Sequence, residues 1–132
     1  MVNIIVMGHG GYAEGVRGNL EMLSGIPRRM YFLDLDGEGG LGELEKKLDE
    51  LLEDIKDEKI LYACDLLGAS PFRLAAMRCV EHPETQVLVT GLNTMAYVEL
   101  SIPAEELSLT ELADRAISTT IESVSKFDIP II

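Results

Sequence analysis

A histidine set among glycines, Gly8-His9-Gly10-Gly11, and an acidic loop that opens a helix, Asp65-Leu66-Leu67-Gly68-Ala69-Ser70-Pro71, carry the chemistry readable in this chain. Imidazole titrates near neutrality, so His9 can serve as a nucleophile, a proton shuttle or a metal ligand. The three glycines leave its ring uncrowded and let another molecule's backbone come close. A carboxylate such as Asp65 can take the proton of one imidazole nitrogen in a hydrogen bond, fixing the tautomer that turns the other nitrogen's lone pair outward. Gly68-Ala69-Ser70-Pro71 reads as a helix start, with Ser70 as N-cap and Pro71 at the first helical position. Free backbone N–H groups and the helix dipole favour an anion there, and Ser70 adds a hydroxyl. Each group also has a plainer reading: Asp65 satisfying loop amides, Ser70 as an ordinary cap. Their weight comes from convergence on one rim, where a phosphoryl group attacked by the outward nitrogen would be met by backbone donors.

That convergence depends on the elements beneath it. Ile4–Met7 is an apolar run suited to a strand covered on both faces, and the glycines end it. A helix follows over Ala13–Ser24, then a strand over Met30–Leu33. The acidic, glycine-rich stretch Asp34-Leu35-Asp36-Gly37-Glu38-Gly39-Gly40 lacks the EF-hand spacing and reads as a flexible loop. Leu41–Asp57 is a helix, because Leu41, Leu44, Leu48, Leu51, Leu52 and Ile55 recur at helical spacing while Glu and Lys fill the other faces. Ile60–Cys64 is a third strand, Pro71–Val80 a third helix, and Val87–Thr90 a fourth strand that exits through Gly91-Leu92-Asn93. A last helix runs from about Leu109 to Ser125, with a short strand or tail at Ile129–Ile132. Four strand-helix alternations predict an α/β fold: a doubly wound, mostly parallel sheet with helices on both faces. The exits of the first, third and fourth strands then share the carboxyl edge, where open α/β sheets bind ligands.

Composition narrows the partners. The 132 residues suit one domain over 1–132, with no linker or repeat. A net charge of −12 repels nucleic acid and anionic membranes. No apolar stretch is long enough to cross a bilayer, and the start lacks the basic region of a signal peptide. Cys64 and Cys79 read as buried reduced thiols, which places the chain in the cytoplasm. The other histidine, His82, precedes Pro83 in a loop at the opposite edge of the sheet and reads as a solvated residue. One His and one Asp make a poor zinc site, so neither metal nor cofactor is expected. No G-x-G-x-x-G follows the first strand in proper form, and neither G-x-x-x-x-G-K-[ST] nor the G-x-S-x-G nucleophile elbow occurs in the sequence.

Taken together, Gly8-His9-Gly10 with Ala13 and Gly15, Asp65 through Phe72, and Val89-Thr90-Gly91-Leu92-Asn93 resemble one family over nearly the whole chain. It is the IIA component of the mannose-type (mannose/fructose/sorbose/N-acetylgalactosamine) bacterial sugar phosphotransferase system. The resemblance implies that His9 is phosphorylated by the phosphocarrier protein HPr and passes the group to a histidine of a IIB component. The sugar is then phosphorylated during uptake through the membrane components IIC and IID, with which this chain associates only indirectly. The same resemblance implies Asp65 as orienting partner of His9, and Gly68, Ala69 and Ser70 as phosphoryl contacts. Gly10, Gly11 and Asn93 become partner contacts. It also implies a homodimer whose C-terminal strand is exchanged, the segment after Asn93 playing that part. The chain ends without a IIB domain, so the acceptor is expected on a separate polypeptide.

Three departures stand out. Ala69 occupies the place of a common second glycine, Arg73 that of a frequent asparagine, and Thr94-Met95-Ala96 that of Leu-Pro-Met. They leave the His-Asp chemistry intact and bear on partner contacts and sugar subfamily. Two same-fold alternatives stay open: a phosphocarrier serving a dihydroxyacetone kinase, and a flavodoxin-like ligand-binding module without chemistry. Ser70-Pro71-Phe72 favours the transporter family over the kinase partner. A dimeric interaction subunit with a degenerate site is disfavoured by the presence of both His9 and Asp65.

Overall fold

The computed structural model describes residues 2–55 and 58–131. Four strands alternate with helices: β1 (Val2–His9), α1 (Tyr12–Leu23), β2 (Met30–Leu35), α2 (Gly40–Ile55), β3 (Lys59–Cys64), α3 (Ser70–Glu81) and β4 (Gln86–Thr90). Two helices, α4 (Thr94–Leu100) and α5 (Leu109–Ser123), complete the described chain. The strands form one all-parallel sheet in the order β2-β1-β3-β4.

The central strands are apolar on both faces because both faces are covered. Ile4 and Val6 of β1, with Leu61 and Ala63 of β3, face a core closed by Ala13, Val16 and Leu20 of α1, and by residues of α4 and α5. Ile5 and Met7, with Ile60, Tyr62 and Cys64, face a second core closed by α2 and α3. Burying Leu44 and Leu48 of α2 there contributes about 1.5–3 kcal/mol each.

The strand order locates the crevice. From β1 the chain steps outward to β2, then returns across β1 to β3 on its other side. Right-handed crossovers require the connecting helices to change faces when the direction reverses, so α1 lies on one face and α2 on the other. The loops leaving β1 and β3 therefore part toward opposite faces and open a crevice between them.

Several expectations need correction. Ser70 is the first residue of α3 rather than its cap: Ala69, in extended conformation, holds the cap position without a side-chain hydrogen bond. The stretch from Asp34 is not all loop, because Asp34 and Leu35 continue β2. Asp36 then closes a tight turn by accepting the amides of Glu38 and Gly39, which hold its carboxyl below the usual carboxylate range. Leu41, placed on the apolar stripe of α2, is exposed. Asp57, the expected end of that helix, lies outside the described residues.

Helix α4 is an addition to the sequence reading, built on an Asn93 cap whose side chain accepts the amide of Ala96. Helix α5 opens with a reciprocal cap between Ser108 and Glu111. Residues 124–131 form no strand; Val124, Phe127, Ile129 and Ile131 stand exposed, while Ile132 lies outside the described residues.

Candidate active site

His9 is the last residue of β1 and Asp65 follows the last residue of β3. The β1–β3 register pairs Met7 with Cys64. The Asp65 amide extends that ladder by one rung, donating to the Met7 carbonyl at 3.1 Å. This sets the Asp65 side chain beside His9, where one carboxylate oxygen, Oδ2, accepts two hydrogen bonds. The His9 backbone N–H donates at 2.9 Å and ring Nδ1 lies at 2.8 Å. A carboxylate only accepts, so Nδ1 carries the hydrogen and, in the neutral ring, Nε2 keeps its lone pair. The His9 side chain is 41% exposed and that of Asp65 only 16%. The second oxygen of Asp65, Oδ1, is buried with no hydrogen-bond partner among the described residues.

The helix-start loop lies next to this pair. Gly68 adopts a positive φ of 80°, which turns the chain sharply into α3. The Ala69 amide donates to the Leu66 carbonyl at a long 3.3 Å, whereas the Gly68 amide has no acceptor among the described residues. The Ser70 hydroxyl is likewise without a partner among them. Relieved of capping, it remains available to an anion.

Two residues shape this rim in ways the sequence reading does not assign: Arg73 enters it only as a departure, and Asp34 only as part of a loop. Arg73, one turn into α3, donates its Nε–H to the Gly68 carbonyl at 2.8 Å and so clamps the loop. The departure from asparagine thus brings a guanidinium to the exposed rim. Asp34 sits opposite Gly8 in the β1–β2 register, and its two oxygens accept the amides of Ala13 and Glu14 at 2.8 and 3.1 Å. Its carboxylate already occupies the N-terminus of α1. The start of α3 is left as the helix terminus open to an incoming anion. The Arg73 contact was within reach, five residues from its acceptor; the Asp34 pairing depends on a strand register that a single sequence does not display.

The glycines divide by role. Side-chain atoms added at Gly10 or Gly11 would meet nothing within 4 Å, and Gly10 holds a φ of 59° while donating to the Leu35 carbonyl. Gly8 is different from the uncrowded position expected of it. A Cβ there would lie 2.5 Å from Cδ2 and 2.7 Å from Cβ of Tyr12, so the Tyr12 ring fills the space. Tyr12 is in turn hydrogen-bonded through its hydroxyl to Tyr97 of α4. Gly8→Ala must displace the root of Tyr12 and with it the first turn of α1. A loss of about 1–3 kcal/mol in denaturant unfolding is expected, and unchanged stability would refute this packing account.

Asn93 is largely committed to structure. Besides capping α4, it donates from Nδ2 to the Ser123 hydroxyl at 2.7 Å. Cys64 and Cys79 are free thiols, pushed up by burial to about 12 and about 11. His82 is exposed at the end of α3, before β4 begins. Among the described residues no three acidic, histidine or cysteine side chains gather closely enough to hold a metal ion. None of their helices is long and apolar enough to cross a membrane.

A sequence model of the EIIA-man family, described as the phosphotransferase system fructose IIA component, matches residues 3–117. The chain belongs to this family. As an EIIA-man protein it is a phosphohistidine-dependent phosphotransferase that accepts a phosphoryl group from HPr and hands it to a IIB component. Among known relatives, the fructose-specific EIIA component of Bacillus subtilis is 25% identical over 113 residues, covering 85% of this chain and 77% of that protein. The mannose/sorbose-specific IIA subunit of Enterococcus faecalis superposes with a TM-score of 0.88 at 27% identity, over 98% of this chain and 97% of that one. The EIIA structure from Streptococcus agalactiae shares the fold at a TM-score of 0.85 and 23% identity, over 96% and 97% of the two chains.

Proposed function

We propose that His9 carries the phosphoryl group in this EIIA-man protein, on Nε2, with Asp65 as its positioning partner. The observation that carries this reading is the Nδ1–H bond to Asp65 Oδ2 in a ring that remains 41% exposed. The Nε2 lone pair attacks the phosphorus of phosphohistidine on HPr. The donor's P–N bond breaks, and its electron pair returns to the donor imidazole. Throughout, the His9 Nδ1 proton stays in its bond to Asp65, whose negative charge offsets the positive charge the ring gains. The Gly68 amide and Ser70 hydroxyl, without partners among the described residues, are suited to the phosphoryl oxygens, and the Ala69 amide can join them by giving up its long bond. The group then leaves to IIB by the reverse step. Leu66 and Leu67, exposed beside Asp65, and the open Gly10 and Gly11 suit the two partners that dock in turn.

The test is incubation with phosphoenolpyruvate, enzyme I and HPr, followed by peptide mapping of an acid-labile, base-stable phosphate. Phosphate found on a residue other than His9 overturns the assignment.

We further propose that the chain forms a homodimer by lending its C-terminal segment. Two features support it: the apolar side chains Val124, Phe127, Ile129 and Ile131 stand exposed, and β4 is an edge strand with no neighbour on its outer side among the described residues. Removing residues 124–132 is expected to convert a dimer into a monomer in sedimentation equilibrium. A dimer that survives the truncation refutes the exchange.

A further inference from the structure

At the amino end of the sheet, remote from His9, lies a cavity of about 790 Å³ that the phosphoryl relay does not use. The apolar part of its lining is formed by Val2 and Ile4 of β1, Leu100 at the end of α4, and Leu107 and Leu112 where the chain enters α5. The segment from Ser101 to Leu107 passes along it, and its rim carries Arg28, Arg29 and Lys59. These are three of only eleven basic residues in a chain of net charge −12. Arg29 is paired with Glu58 at 2.8 Å. Arg28 and Lys59 have no partner among the described residues. Glu105 is the one acidic residue in the lining.

We infer that this cavity binds an amphipathic organic anion, of the class of medium-chain aliphatic carboxylates, with the chain among the apolar walls and the carboxylate at Arg28 and Lys59. The volume falls within the range of small-molecule sites, which are mostly apolar with a few charged groups that fix orientation. Two cations without a partner among the described residues, beside an apolar wall, give both halves of an amphiphile a counterpart. Val2 and His9 are seven residues apart along one strand, roughly 23 Å. Occupancy here therefore leaves the phosphoryl site sterically untouched.

Titration with decanoate, followed by methyl NMR, tests the inference. Saturable shifts are expected at Val2, Ile4 and Leu112. Arg28→Glu and Lys59→Glu, both on exposed side chains, should each weaken binding about five- to tenfold. Decanol, which lacks the charge, should bind more weakly than decanoate. Labelling of the Arg28→Glu protein by phospho-HPr should be unchanged, separating this site from the relay. The inference is overturned if no saturable shifts appear, or if they fall on the exposed apolar residues Ile121, Val124 and Ile129. It also fails if decanoate affinity ignores both charge reversals.

Discussion

The His9→Ala protein should take up no phosphate when incubated with phosphoenolpyruvate, enzyme I and HPr. The effect is all-or-none because the substitution removes the acceptor atom itself, whereas a positioning defect only slows the reaction. The variant should fold, since the ring is 41% exposed and its side-chain hydrogen bond is the single one to Asp65. The Asp65 carboxylate keeps the His9 backbone N–H, so the loop retains one of its two ties. A matched control is His82→Ala, at the end of α3. That protein should label to the wild-type level. Undiminished labelling of His9→Ala, with label lost from His82→Ala, would reverse the assignment.

The second large effect concerns Asp65, and two substitutions separate its two contributions. Both bonds from His9 fall on one oxygen. An asparagine whose carbonyl takes that oxygen's place keeps both bonds and the tautomer while losing the charge. A charged partner strengthens a hydrogen bond by about 1–2 kcal/mol over a neutral one, so Asp65→Asn is expected to slow phosphoryl transfer roughly 5- to 30-fold. Asp65→Ala loses the orientation as well, and a fall of roughly 100-fold or more is expected. Rapid-quench measurement of transfer from phospho-HPr distinguishes them. Equal, unchanged rates in both variants would leave Asp65 a purely structural residue. In either variant the total phosphate accepted at long times should approach one per chain, because Nε2 is still present.

Much of this was legible in the residues. The strands announced themselves because both their faces are buried, which leaves runs such as Ile4–Met7 and Ile60–Cys64 free of polar interruption. Placing His9 and Asp65 at the ends of two such runs sufficed to predict that they share an edge. Whether they touch was beyond the sequence, since contact follows from the β1–β3 register and the extra rung at Asp65. Asp34 stayed hidden for the same reason: its partners on α1 come within reach through the alignment of β2 with β1. Helix α4 escaped notice because seven residues display little periodicity and Thr94-Met95-Ala96 follows directly on a loop. At the start of α3, Ser and Pro signalled the helix correctly, but the extended residue that caps it is Ala69, one position earlier. Of the two readings of Ile129–Ile132, strand or tail, residues 124–131 follow the second: they form no strand among the described residues, and a strand needs a neighbour.

The orphaned oxygen of Asp65 bears on how long the charged carrier can wait. A phosphohistidine is a store of reactive phosphate, and its natural leak is water attacking the phosphorus with help from a nearby base. Asp65 has one oxygen committed to His9 and the other sealed from solvent. Asp34 has both oxygens spent on the amides of α1. Neither can take a proton from a water poised over the phosphoryl group. The site thus exposes the group to a protein partner while these two carboxylates lend no base to the water that would discharge it into solvent.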